Sequence, residues 1–203
     1  MIGDNTCKSD DAHIFACEPS CNVVSNIEED VCITLNDSTL RDVKNLRKLG
    51  LSGIYPEMDI DNDPYDRFGL TLYKRNKNGA LCFTVRLTFD GPLGLPESEF
   101  LQPLKAQGRR FVELGRLVIT SQKIDDLKLL YRSCYKIAMA TGHDSIVMAM
   151  KPKDISFHER LMGVLVVCDD MKVDYGGPYS LACVVWKLEE TKDKFFNWAQ
   201  LCR

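Results

Sequence analysis

Charged residues interrupt segments of this chain that would otherwise be buried β-strands. Arg86 lies in the middle of one apolar run, and Glu113 and Arg116 open another. A charge that faces a core must be paired, because an isolated buried ion costs too much free energy to keep. Asp63 and Asp66 lie in an acidic segment before the first run and can supply the partners. We therefore predict one shared polar cluster, which in a small domain is more often a functional site than scaffold.

The chain has 203 residues, which is enough for a single domain with a sizeable core. No apolar run is long enough to cross a membrane, and the N-terminus lacks the basic and then apolar layout of a signal peptide. We therefore expect no membrane span and a cytoplasmic location.

The nine cysteines are odd in number and irregular in spacing. Cys17 and Cys21, with His13 nearby, are the closest approach to a metal-binding pair, but no second pair completes four ligands. A reduced cysteine among apolar residues behaves as a small hydrophobe. We favour buried, reduced cysteines over zinc ligands, and we predict no metal site.

The charge is unevenly distributed along the chain. Residues 1–30 carry seven acidic residues and one basic residue, although the whole chain has a net charge of only -3. We expect a loosely ordered acidic leader at 1–30 and one folded domain at 31–203. The domain is mildly basic, which fits an acidic protein partner better than a nucleic acid.

Hydrophobic periodicity predicts an α/β protein. Asn78-Gly79 is the strongest hairpin signal in the chain. Predicted strands are 31–35, 70–75, 80–89, 111–120, 144–150, 164–167 and 181–188. Predicted helices begin near Ser38, Ile124, Ile155 and 191, with a further short helix within 91–110. This order predicts a mixed, twisted sheet with helices on both faces.

The motifs and their order resemble a known family. The segment Asp63-x-Tyr65-Asp66, a strand that ends in Thr84-Val85-Arg86, and Glu113-x-x-Arg116 are similar to the signature of acyl-homoserine lactone (autoinducer) synthases. Arg47 stands where that family has an early arginine. The resemblance covers about residues 40–167 and implies the GCN5-related N-acetyltransferase fold, also called the acyl-CoA N-acyltransferase fold.

Two departures from that signature point to a related branch. Residues 49–55 lack the family's Phe and Trp, and the segment 121–126 lacks the glycine pattern that cradles a coenzyme A pyrophosphate. The chain resembles the long-chain N-acyl amino acid synthases, such as N-acyl tyrosine synthase. That resemblance implies that an acyl carrier protein supplies an acyl-phosphopantetheine, that no cofactor is bound permanently, and that the acceptor is an amino acid, with tyrosine suspected.

Amide formation from a thioester needs a neutral amine and a polarised carbonyl. Glu113 is the candidate catalytic residue, because its strand is expected to flank the thioester and its carboxylate can take the amine proton. The alternative is that Glu113 only pairs with an arginine as scaffold. His158 is interpreted as structural, at an exposed helix end.

Six residues are candidates for binding the amino-acid substrate. Asp63 and Asp66 can hold an ammonium, and Arg47 or Arg86 can hold a carboxylate. The alternative is a salt-bridged loop with no substrate contact. The full set is Arg47, Asp63, Tyr65, Asp66, Arg86 and Arg116.

Basic residues recur on the face of the long helix opposite its predicted buried stripe of Ile124, Leu127, Tyr131, Cys134 and Ala138. They can dock an acidic carrier protein, or they can form an ordinary solvated helix face. The candidate carrier-binding residues are Arg109, Arg110, Lys123, Lys128, Arg132 and Lys136.

We therefore predict an N-acyltransferase that moves a long acyl chain from a carrier protein to an amino-acid α-amine. One alternative is an acyl-homoserine lactone synthase that uses S-adenosylmethionine. Another is a non-catalytic module that binds an acyl chain or an amino acid, since a fold alone does not fix a function.

Overall fold

The structure is a computed structural model that describes residues 28, 30–34, 36–172, 177 and 180–200. Its strands are β1 (Cys32–Ile33), β2 (Gly69–Arg75), β3 (Leu81–Phe89), β4 (Phe111–Ile119), β5 (Ser145–Met150), β6 (Leu165–Met171) and β7 (Leu181–Lys187). Its α-helices are α1 (Asp37–Leu51), α2 (Ser98–Lys105), α3 (Ile124–Ala140), α4 (Pro152–Met162) and α5 (Lys192–Ala199), and a 3-10 helix spans Pro64–Phe68.

In the described part of the chain, seven strands form one sheet in the order β1-β2-β3-β4-β5-β7-β6. Strands β4 and β5 are parallel, and every other neighbouring pair is antiparallel. The parallel pair requires a crossover connection, which α3 supplies. The predicted mixed sheet is confirmed.

Local sequence signals explain how several elements begin and end. Asn36 caps α1 by accepting a hydrogen bond from the backbone N–H of Thr39. The hairpin between β2 and β3 turns at Gly79, whose φ of 81° is in the left-handed region that glycine tolerates. The predicted hairpin at Asn78-Gly79 is therefore confirmed.

The sheet is covered on both faces. On one face, Val112 and Leu114 of β4 pack in a large core with residues of α3 and α5. On the other face, Phe111 of β4 and Val147 of β5 pack with Leu101 of α2. Because side chains alternate along a strand, Glu113 projects on the same face as Phe111, beside α2.

Two irregularities of β4 shape the centre of the sheet. Strands β4 and β5 pair only from Phe111↔Ser145 to Glu113↔Val147 and then diverge, which leaves a fork. On the other edge of β4 a β-bulge places two residues opposite Val85, and its first residue, Arg116, has a φ of 54°. A bulge redirects a side chain that a regular strand would point elsewhere.

Several sequence predictions need correction. The segment before β2, for which no helix or strand was predicted, contains the 3-10 helix, which Pro64 starts at a position where the missing N–H costs nothing. Ile124 was predicted to be buried but is 48% exposed, because it lies in the first turn of α3, whereas Tyr131, Cys134 and Ala138 of the predicted stripe are buried. Strand β6 is longer than predicted, and its first residues are exposed because it lies at the sheet edge.

Some predictions lie outside the described residues. They include most of the acidic leader at 1–30 and the candidate metal ligands His13, Cys17 and Cys21. Within the described part, no helix has the length and apolar character that a membrane crossing requires.

Candidate active site

Arg86 is the centre of a buried ion cluster. Its side chain, on β3, is fully buried. Its Nη1 lies 2.8 Å from Asp63 Oδ2 and 3.1 Å from Asp66 Oδ1, while its Nη2 lies 3.4 Å from Glu113 Oε2. One guanidinium thus binds three carboxylates, and the residues that the sequence predicted to share a cluster are together.

Two further arginines complete the cluster. Arg47 of α1 is 1% exposed, and its Nη1 donates to both oxygens of Asp66 at 3.0 and 3.2 Å. Arg116 reaches Asp63 from the bulge of β4, with 2.6 Å between Nε and Oδ2. Three arginines therefore face three carboxylates, which pairs the charges that burial would otherwise penalise.

The 3-10 helix places both aspartates toward the sheet. Asp63 caps this helix by accepting a hydrogen bond from the backbone N–H of Tyr65 at 3.1 Å. The ring of Tyr65 covers the Arg86 guanidinium, with 5.6 Å between ring centroid and Cζ. Burial alone would raise the pKa of Asp63, but Arg86 and Arg116 outweigh burial and the pKa is lowered.

A cavity of about 460 Å³ lies at the fork between β4 and β5. It is lined on the α2 face by Glu113, and on the opposite face by Leu114, Met148 and Tyr131. Because residues of both faces line it, the cavity passes through the sheet where the two strands separate. Such a passage lets two substrates approach each other from opposite sides.

The predicted site residues divide between the cavity wall and the layer behind it. Glu113 and Arg116 line the cavity. Asp63, Asp66 and Arg86 hold these two in place. Direct contact of substrate with Arg47, Asp63, Tyr65, Asp66 or Arg86 stays a prediction. Tyr55, which follows α1, also lines the cavity.

Sequence reasoning missed Glu97, which precedes α2. Glu97 lines the cavity, is 2% exposed, and its Oε2 has no hydrogen-bond partner among the described residues. Burial, followed by the charge of Glu113, raises the pKa of Glu97 from 4.5 to about 8. Its only signal in the sequence is a charge between the apolar Leu95 and Leu101.

The opposite wall of the cavity carries a hydrogen-bonded pair, Tyr131 and His158. The Tyr131 hydroxyl lies 2.7 Å from His158 Nε2, and His158 Nδ1 lies 2.8 Å from the carbonyl oxygen of Asp154. A carbonyl can only accept, so Nδ1 donates and Nε2 accepts from Tyr131. The prediction of an exposed helix end for His158 is wrong, because this bond and the cavity wall half-bury the ring.

The candidate carrier-binding residues do not form one surface. Lys123 and Lys128 lie near the N-terminus of α3, next to the end of β4. Arg109 and Arg110 precede β4 at its other end, and Arg109 pairs with Glu190 there. The remaining two, Arg132 and Lys136, both bind Glu28, with Lys136 Nζ 2.7 Å from Oε1. Carrier binding by these residues stays a prediction.

Replacing Arg86 with Met should lower the free energy of unfolding by about 3–5 kcal/mol, because three buried carboxylates lose their shared cation. Arg75→Met is the matched control, since Arg75 also forms an ion pair, with Asp42, but at the surface. The control should cost less than about 1 kcal/mol. Chemical denaturation measures both values, and equal losses would contradict the structural role of the cluster.

Glu97 should make the fold less stable as the pH rises. The folded protein keeps a proton on Glu97 that the unfolded chain releases above about pH 4.5, so the stabilisation is complete below that pH and is lost as the pH approaches about 8. Glu97→Gln should remove roughly 2–5 kcal/mol of that pH dependence. Denaturation of both proteins across this range measures it, and parallel pH curves would show that Glu97 is ordinarily ionised.

Solved structures with similar folds support this description. A structure described as FeeM, an N-acyl amino acid synthase from uncultured soil microbes, matches with a TM-score of 0.70 and 16% identity over 85% of this chain and 96% of that one. The acyl-homoserine lactone synthase LasI matches with a TM-score of 0.62 and 15% identity, covering 82% and 95% of the two chains. An acyl-CoA N-acyltransferase from Pseudomonas aeruginosa matches at 0.55 and 16%, covering 77% and 97%.

These TM-scores, over most of each chain, establish the acyl-CoA N-acyltransferase fold. No curated protein sequence matches the chain. The family model described as N-acyl amino acid synthase FeeM matches residues 57–182, which is more than half of the chain and includes the cluster apart from Arg47. The chain therefore belongs to the FeeM family of N-acyl amino acid synthases, and it is an acyltransferase.

Proposed function

We propose that this protein transfers a long-chain acyl group from an acyl carrier protein to the α-amine of an amino acid, in the cytoplasm. The observation that carries the proposal is the cavity through the fork, which has the carboxylate of Glu113 on one side and an apolar wall with Met148 and Met150 on the other. This arrangement suits an amine that meets an acyl thioester at the centre of the sheet.

The N-terminus of α3 supports a carrier protein as donor rather than coenzyme A. In acyltransferases that this fold resembles, a glycine loop here holds the pyrophosphate. In this chain the first turn of α3 carries Asp125 and Asp126, and Asp126 accepts hydrogen bonds from Lys74 and Ser121. Burial raises the pKa of Asp126, but Lys74 and Ser121 outweigh burial, so the carboxylate stays ionised. The chain therefore has a pair of aspartates, one of them bound to Lys74, where a glycine loop would hold a pyrophosphate at this helix end.

The reaction needs one bond to form and one to break. The amine nitrogen attacks the thioester carbonyl, the C–N bond forms, and the C–S bond breaks to release the phosphopantetheine thiol. Glu113 orients the acceptor amine at the fork, and a carboxylate beside the amine takes its proton, directly or through a water. Its position is fixed by Arg86 behind it, so little reorganisation is needed when substrate binds.

The acceptor is an amino acid, and the branch that the sequence resembles suggests tyrosine. Mass spectrometry of lipid extracts from bacteria that overexpress the chain tests this proposal. We expect the extracts to contain N-acyl amino acids, and N-acyl tyrosine is the product to look for first. These lipids should be absent from bacteria that express the Glu113→Gln variant. Acyl-homoserine lactones would instead support lactone synthesis, and no new lipid from a folded, abundant protein would contradict both.

We further propose that the acidic carrier docks near the N-terminus of α3, on Lys123 and Lys128. Reversing both charges to Glu should raise the KM for the acylated carrier about tenfold, while the KM for the amino acid stays unchanged. Lys192→Glu, on α5, is the control with the same type of charge reversal away from this surface. Steady-state kinetics with purified carrier measure the effect. Equal KM values in all three proteins would exclude this docking surface.

A further inference from the structure

Glu97 is a buried carboxyl group that the proposed mechanism does not use. It is 2% exposed, it lines the cavity, and its Oε2 has no hydrogen-bond partner among the described residues. No salt bridge to Glu97 is found in that part of the chain either. A buried carboxyl without a cation is costly unless a ligand or a proton compensates it.

The groups around Glu97 define its electrostatic setting. Glu113 opposes ionisation of Glu97, whereas the positive charges of the cluster favour it only weakly. Burial is the largest effect, and the net result is a pKa raised to about 8. The titratable and charged groups that face Glu97 from the strands packed beside it are Glu113 and Arg116 of β4, Arg86 of β3 and Cys183 of β7.

The two glutamates share the acceptor side of the sheet but differ in what they bind. Glu113 is tied to Arg86, so a proton on Glu113 would break an ion pair inside the core. Glu97 has no such bond to lose. Where two neighbouring carboxyl groups are held in different protonation states by their surroundings, each takes a different part of the proton transfer.

We propose that Glu97 accepts the proton that the acceptor's α-ammonium loses before the amine attacks the thioester. This inference rests on the proposed function and assigns the proton to a specific residue. Glu97 gives up its resting proton to solvent when the amino acid binds, Glu113 holds the ammonium, and one ammonium proton then moves to the Glu97 carboxylate to leave a neutral amine. After attack, the nitrogen loses its second proton to the departing thiolate as the C–S bond breaks, and Glu97 keeps the first proton, which restores its resting, protonated form.

The chemistry of the amine favours this assignment. An α-amino group has a pKa of about 8 in a peptide, far above that of an ordinary carboxylate. Proton transfer is most efficient when the pKa of the base lies near the working pH and near that of the donor. Burial raises the pKa of Glu97 to about 8, so Glu97 meets this condition.

Binding of the amino acid tests the proposal without any catalysis. Near pH 7, the free protein carries one proton on Glu97, and the free amino acid carries one ionisable proton on its ammonium group. In the complex the two groups share a single proton, so binding should release close to one proton per amino acid. Isothermal titration calorimetry in buffers of different ionisation enthalpy measures this release. Glu97→Gln should bind tyrosine with almost no release, and Glu159→Gln, at an exposed glutamate of α4 that does not line the cavity, should behave as the wild type.

The pH dependence of kcat/KM gives an independent test. The acceptors to compare are tyrosine and its methyl ester, whose amine is less basic. For both, kcat/KM of the wild type should rise with pH and level off near pH 8, because this rise reports the deprotonation of Glu97. In Glu97→Gln, the pH at which kcat/KM levels off should instead follow the amine pKa of each acceptor. In addition, kcat near pH 7 should fall about a hundredfold. A purely structural role of Glu97 would lower activity at every pH without this change in the pH at which kcat/KM levels off.

The outcomes separate the two proposals. Equal proton release and equal pH profiles of kcat/KM in the wild type and in Glu97→Gln would overturn the role of Glu97, while product formation by both would leave the proposed function standing. Proton-coupled binding of tyrosine without acyl transfer would support Glu97 as the group that meets the amine and overturn the proposed reaction. Absence of any amino-acid binding by the folded wild type would overturn both.

Discussion

The guanidinium of Arg86 organises the centre of this protein. It lies fully buried in β3, where a regular strand would carry an apolar side chain, and it binds carboxylates that come from the 3-10 helix and from β4. Each of these carboxylates would be too costly to bury alone. Folding of the 3-10 helix onto the sheet and the position of Glu113 on β4 are therefore consequences of one shared cation.

The same cluster connects the fold to the site. Arg116 leaves β4 at a bulge to reach Asp63, and on the other edge β4 separates from β5 directly after Glu113. The cavity therefore begins where the cluster ends, and Glu113, the last residue of β4 that pairs with β5, lines it. Buried charged side chains, which are costly to place in a core, thus fix the geometry of the cavity wall.

The sequence was sufficient to predict the cluster but not the whole site. Arg86 and Glu113 could be found because a charge inside a strand must have a partner, and few partners were available. Glu97 could not be found, because its burial arises from the packing of α2 over the fork rather than from any periodic pattern. The partial burial of His158 was missed for the same reason, since its partner Tyr131 lies on another helix. The ion pairs of Glu28 with Lys136 and Arg132 were likewise invisible in the sequence.

If catalysis depends on where the carboxylate of Glu113 is held, a substitution at Gly115 tests this dependence directly. A Cβ atom at Gly115 would lie 2.1 Å from Glu113 Oε1, so Gly115→Ala must displace that carboxylate while every charge of the cluster is kept. The measurement is kcat/KM for acyl transfer, together with the unfolding free energy. We expect a loss of activity of about a hundredfold, with a loss of stability smaller than that of Arg86→Met, because the other carboxylates keep their shared cation. Wild-type activity in this folded variant would contradict the account.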